Sequence, residues 1–250
     1  MLVDTHAHID YFEDSEKVIR ESLEADVGRI IIPGVEPETF DKIIELVDRY
    51  DCCWGSMGVH PSDAKKFNNE VANRMVELCK HPKIISIGEI GLDYYHDKTF
   101  AQLQKEVFEK QLEIAKVLDL PVVIHDRDAH GDTFEIMKKL GIKKAIMHCY
   151  SGSLEFAREC IKEGWLIAVG GVVTFKNAKK LKETVEGIGL ESIVLETDCP
   201  FLAPHPFRGS ENSPKYLKLI AKEIANIKDL PYDEVARVTT QNALKFFDIE

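Results

Sequence analysis

The chain has 250 residues, with 32 Lys and Arg against 43 Asp and Glu, a formal net charge of −11 at pH 7, 44% hydrophobic and 30% charged residues. These are the values of a folded globular chain with enough apolar surface for a sizeable core; they exclude a disordered chain and a broad basic surface that grips nucleic acid by charge alone. No run approaches the roughly 18 apolar residues of a membrane span, and the N-terminal MLVDTHAHID lacks the basic-then-apolar order of a signal peptide. The six cysteines are sparse, with Cys52 and Cys53 adjacent, and read as reduced thiols, so a soluble cytoplasmic chain with no membrane partner, taken as a monomer, is expected.

In chain order, short β-branched runs predict strands at residues 2–6, 29–33, 53–59, 84–90, 121–125, 145–149, 166–170 and 193–198. Amphipathic segments predict helices at residues 15–25, 36–50, 70–80, 99–118, 154–163 and 178–185, with two more at 214–226 and 232–247. Strand starts recur about every 27 residues, close to one βα unit of roughly 30. Eight such units in this length suit an α/β chain of (β/α)8 TIM-barrel class, and the competing arrangement is a doubly wound open sheet. No linker or composition shift divides the chain, which reads as one domain over residues 1–250.

The polar residues that close the strands decide between the two. Six of the eight runs deliver a His or a carboxylate at their C-terminal end: His6 and His8, His60, Glu89, His125, His148 and Asp198. A parallel barrel assembles its active site from the C-terminal ends of separate strands, whereas an open sheet would spread these groups along a line. In His6-x-His8 the two rings are expected to share one strand face and hence one cation. Imidazole with carboxylate suits Zn, Mn, Fe or Ni, and four imidazoles with two carboxylates exceed what one tetrahedral ion needs, so two divalent ions are expected. Such a pair activates water and clamps the attacking and leaving oxygens of a displacement, as in phosphate-ester hydrolysis, although amide hydrolysis uses it too.

Asp198 is expected to serve as ligand and as the base that orients the water. His60, without a partner at metal spacing, is assigned to a phosphate oxygen or the leaving group. Arg127 and Arg208 are the cations closest in sequence to these residues and can fork onto a phosphate; for Arg127 a structural ion pair with Asp126 or Asp128 is an equal alternative. Cys149 and Cys199 are expected to be packed thiols, His81 to cap a helix C-terminus, and His96, His130 and His205 to lie in loops.

The motifs DTHAHID at residues 4–10, GVHP at 58–61, GEIGLDYY at 88–95, PVVIHDRDA at 121–129, HCYSG at 148–152, ETDCPFLAP at 196–204 and FRGSENSP at 207–214, with Asn242-Ala243, closely resemble the TatD family of metal-dependent deoxyribonucleases. The resemblance implies one metal within His6, His8, Glu89 and Asp198 and a second within Glu89, His125 and His148, with Glu89 as the bridge. It also implies Mg, Mn or Zn as the metals and the removal of nucleotides from DNA; the acid excess, with its small duplex affinity, points to single-stranded DNA or DNA ends as the substrate. Two other functions share these residues: a C–N hydrolase or aminoacyl-tRNA deacylase on the same metals, and a non-catalytic protein that keeps metal for stability.

Overall fold

The computed structural model describes residues 1–96 and 98–249. Its strands are β1 (Leu2–Asp4), β2 (Val27–Ile32), β3 (Cys53–Met57), β4 (Ile84–Asp93), β5 (Val122–Arg127), β6 (Ala145–Met147), β7 (Leu166–Val169) and β8 (Ile193–Leu195). The helices are α1 (Ser15–Glu24), α2 (Phe40–Arg49), α3 (Asn69–Leu78), α4 (Ala101–Leu118), α5 (His130–Lys139), α6 (Leu154–Lys162), α7 (Lys179–Gly187), α8 (Leu217–Lys228) and α9 (Tyr232–Phe247). The strands are parallel and follow one another in chain order within one eight-stranded sheet, which is the (β/α)8 TIM-barrel class. Among the described residues no helix is long and apolar enough to cross a membrane.

The chain divides into two compact units. One comprises Met1–Ile32, Cys149–Lys162 and Leu166–Glu250; the other comprises Pro33–His148 and Glu163–Trp165. In the first, the runs Ile30 to Ile32, Ile167 to Val169 and Ile193 to Leu195 are fully or almost fully buried, with Ile220, Ile224 and Val235 of α8 and α9 in the same core. In the second, all ten residues of β4 are buried, as are Met57, Ile124, Ile146, Phe108, Leu112 and Trp165. Strands apolar on both faces are what a parallel sheet covered by helices requires.

Local sequence sets the boundaries. Asp14 caps α1 by accepting from the Lys17 N–H at 2.9 Å, and Asn68 caps α3 by accepting from Glu70 and Val71. The helix expected over residues 36–50 begins instead as a 3-10 turn, Pro37–Thr39, because Pro37 supplies no donor and the Thr39 hydroxyl bonds back to the Glu36 carbonyl. Helix α5 was not expected: its polar first turn, with Gly131, conceals an apolar face that buries Ile136 and Met137. His130 accordingly opens a helix and does not lie in a loop. Three helices, α4, α8 and α9, end on an aspartate with left-handed φ: Asp119 at 54°, Asp229 at 52° and Asp248 at 55°. All six cysteines are free, and burial drives the Cys199 thiol well above its ordinary pKa.

Candidate metal centres

In the first unit, β1 ends at Asp4, so His6 and His8 stand beyond the strand that was expected to carry them. Their extended backbone persists because it is laced to its neighbours. Thr5 N–H donates to Leu195 O, Ala7 N–H to Ile31 O, and His8 N–H to Cys199 O, while Asp198 N–H donates to His6 O at 2.9 Å. Alternation therefore continues past the strand, and both rings meet one carboxylate: Asp198 Oδ1 lies 3.4 Å from His8 Nε2 and 3.9 Å from His6 Nε2. The three side chains each offer a ligand atom, all within 4.8 Å of one another.

Beneath them Asp4 is fully buried and accepts from Thr197 N–H at 2.9 Å and Thr197 Oγ1 at 2.5 Å, which ties the end of β1 to the turn that carries Asp198. Burial raises the Asp4 carboxyl to about 7 against the lowering effect of those bonds. Glu196, also fully buried, accepts from the Cys149 N–H at 2.6 Å. Buried Asn212 donates to Thr197 O and Phe201 O and so fixes the loop after β8.

In the second unit, Glu89 Oε1 is a hub for three imidazoles. His125 Nδ1 lies at 2.7 Å, His60 Nε2 at 3.6 Å and His148 Nε2 at 3.7 Å. Glu89 lies inside β4 and not at its end, and Asp93 follows four residues later on the same strand face. Gly91 between them has φ 149°, and a Cβ there would sit 1.9 Å from the His125 carbonyl oxygen, so only glycine lets β4 approach β5 at this level. Asp93 Oδ2 takes His125 Nε2 at 3.1 Å and His96 Nδ1 at 2.8 Å, and its Oδ1 accepts from the Tyr95 and His96 N–H groups. His60, Asp93 and His125 form a further group with ligand atoms within 4.8 Å.

Electrostatics follows from these contacts. Burial pushes the Asp93 carboxyl up, but the bonds from His125 and His96 outweigh it and hold it well below the ordinary range. Burial pushes His125 down, and Asp93 with Glu89 reverses this, raising the ring to about 9. Two carboxylates around one imidazole thus draw positive charge, as a proton or as a divalent cation. Oxygen and imidazole nitrogen are the donors such cations take, so both groups fit a metal.

Of the residues expected to touch substrate, His60 lies in the Glu89 group. Arg127 is exposed, with its guanidinium 4.1 Å from the centre of the Tyr95 ring, while Asp126 pairs with His130 Nδ1 at 2.8 Å. Exposed Arg208 lies over Phe175 at 4.4 Å. His81 does not cap a helix through its ring: Nε2 pairs with Asp48 at 2.9 Å. Sequence reasoning passed over Asp93, Glu196 and Asn212, although each stands inside a motif quoted above.

Residues 3–248 match the family described as TatD related DNase. The chain belongs to the TatD family. It is 44% identical to the uncharacterized metal-dependent hydrolase YabD of Bacillus subtilis (strain 168), over the full length of both. It is 30% identical to the uncharacterized metal-dependent hydrolase YjjV of Escherichia coli (strain K12), covering 99% of this chain and 98% of the other. The crystal structure of YjjV, a TatD homologue, superposes with a TM-score of 0.95 at 29% identity over 100% of this chain and 98% of that one. This TatD-family chain is therefore a metal-dependent hydrolase on a TIM-barrel fold.

Proposed function

We propose that the protein is a divalent-metal-dependent deoxyribonuclease that hydrolyses phosphodiester bonds at single-stranded DNA ends. His6, His8 and Asp198 would hold one ion, and Glu89, His125 and His148 a second. Such ions supply Lewis acidity toward a phosphoryl oxygen and bring the pKa of water toward neutrality. The observation that carries the reading is the convergence of His6, His8 and Asp198, whose carboxylate is 3.4 Å from one imidazole and 3.9 Å from the other. The family's description, TatD related DNase, supports the choice of DNA.

The chain's own groups divide the remaining work. Asp198 orients the attacking water and takes its proton. His60 accepts the Ser62 N–H at Nδ1, 3.1 Å away, so its neutral ring carries the proton on Nε2, the nitrogen directed toward Glu89. That N–H is the donor for a phosphoryl or leaving oxygen. Arg127 and Arg208 stand exposed for the phosphates of the strand.

The test is hydrolysis of a short single-stranded oligonucleotide. Chelation is expected to abolish it, and added Mg, Mn or Zn to restore it. Glu89→Ala and Asp198→Asn are expected to lose about 100- to 1,000-fold in kcat, in line with loss of a major transition-state contact. Full cleavage by chelated protein or by these variants overturns the mechanism. Turnover of cyclic amides or misacylated tRNA, with oligonucleotides untouched, replaces the substrate.

A further inference from the structure

Two of the large hydrophobic side chains that remain exposed, Tyr11 and Phe201, stand against the His8 ring. Tyr11, Phe201, Leu202 and Phe207 are all exposed, and all belong to the segments that follow β1 and β8 in the first unit. Tyr11 is 42% exposed and Phe201 49%. Their rings are 6.2 Å apart and nearly perpendicular, at 86°. Buried His8 completes a triangle with them: its ring stacks on Tyr11 at 4.9 Å and meets Phe201 edge-on at 6.1 Å. An aromatic corner therefore stands directly on a proposed metal ligand.

The corner is held in place by the backbone. Tyr11 closes the 3-10 turn Ile9–Tyr11, with its N–H on His8 O at 3.1 Å. Phe201 N–H donates to Asp198 O at 2.9 Å, and Asn212 holds the Phe201 carbonyl at 2.7 Å. The loop lies close over Gly171, where a Cβ would sit 2.2 Å from the Leu202 carbonyl oxygen. Two flat aromatic rings on an anchored backbone and open to solvent lower the ordering cost of a flat ligand.

We propose that Tyr11 and Phe201 form the binding site for the nucleobase beside the scissile phosphodiester, the base stacking on one ring with its edge against the other. This inference rests on the deoxyribonuclease reading above. A chain with net charge −11 cannot draw a strand in by a broad cationic surface, and base stacking supplies affinity that needs no cations and tolerates any sequence. A nucleobase on this corner would leave its phosphate next to His8 and Asp198, the side chains it must reach.

The experiment uses metal-loaded protein and a phosphorothioate oligonucleotide that resists hydrolysis. One version has a terminal 2-aminopurine, and a second has a tetrahydrofuran abasic residue at that position. Wild type is expected to quench the 2-aminopurine and to bind the intact strand about 5- to 150-fold more tightly than the abasic one, the range for one stacked base. Tyr11→Ala and Phe201→Ala are expected to lose that preference and the quenching while binding the abasic strand as before. Tyr11→Phe and Phe201→Tyr, which retain a ring, are expected to restore both, with unchanged metal content and thermal unfolding. Equal binding of intact and abasic strands by wild type, or alanine variants that keep the preference, overturns the corner; if the unmodified oligonucleotide is still cleaved, the deoxyribonuclease reading stands. A wild type that neither binds nor cleaves any strand overturns both.

Discussion

His125 is set between two carboxylates that play different parts. Glu89 faces its Nδ1 and Asp93 its Nε2. A histidine that ligates through one nitrogen is oriented by the carboxylate on the other, which fixes its tautomer and raises its basicity. Asp93 is itself buried and saturated by His96 and two backbone N–H groups, so it cannot swing away. Asp93→Asn is expected to weaken metal binding about 10- to 100-fold by titration calorimetry, with folding retained. Unchanged affinity would remove Asp93 from the site. Asp93 was hidden in the sequence because it follows Gly91 and precedes two tyrosines, a pattern that reads as the start of a loop. His6, His8, His125, His148 and Asp198 were legible for the opposite reason, each being the polar residue that ends an apolar run.

Helix α4 carries the site through the main chain of its residues. Gln104 and Gln111 are seven residues apart, two turns on one face, and both are buried. Gln104 accepts from Asp93 N–H at 2.9 Å and donates to Asp93 O at 3.0 Å. Gln111 accepts from Val59 N–H at 2.8 Å and donates to Val59 O at 3.0 Å, one residue before His60. Each amide acts as a strand neighbour, for Val59 beyond the end of β3 and for Asp93 at the last residue of β4. Gln111→Leu strands a buried N–H and a buried C=O, at about 1–3 kcal/mol for each group. The expected loss is about 2–6 kcal/mol in urea unfolding, with a raised KM as His60 loses its anchor. A loss below 0.5 kcal/mol would show that water replaces the amide. Neither glutamine was legible, because a polar residue on a helix reads as solvated face. The helix itself and seven others were legible from periodicity, and α5 was missed because Gly131 and a polar first turn mask its short apolar face.

For the whole molecule, ligands drawn from segments far apart in the chain make metal occupancy a term in folding stability. His6 and Asp198 lie 192 residues apart in the sequence, and a bound ion holds them together only in the native state. Free metal at 100 times its Kd stabilises by about 2.7 kcal/mol per site, which for a chain of this size raises Tm by about 5–10 °C. Chelation followed by readdition of one divalent ion at a time, read by differential scanning calorimetry, is expected to reverse that shift. A Tm indifferent to metal would leave the clusters as ordinary ion pairs.

The three aspartates that terminate α4, α8 and α9 have a consequence for engineering. Each places a negative charge at the negative end of a helix, in a left-handed conformation that asparagine tolerates at least as well. Asp119→Asn, Asp229→Asn and Asp248→Asn are each expected to add about 0.3–1 kcal/mol, nearly additively because the sites are independent. A triple variant no more stable than wild type in chemical unfolding would refute this. Natural selection has left thermostability unclaimed at helix ends that take no part in metal binding, so a hardened form of this hydrolase is accessible through substitutions that leave its chemistry alone.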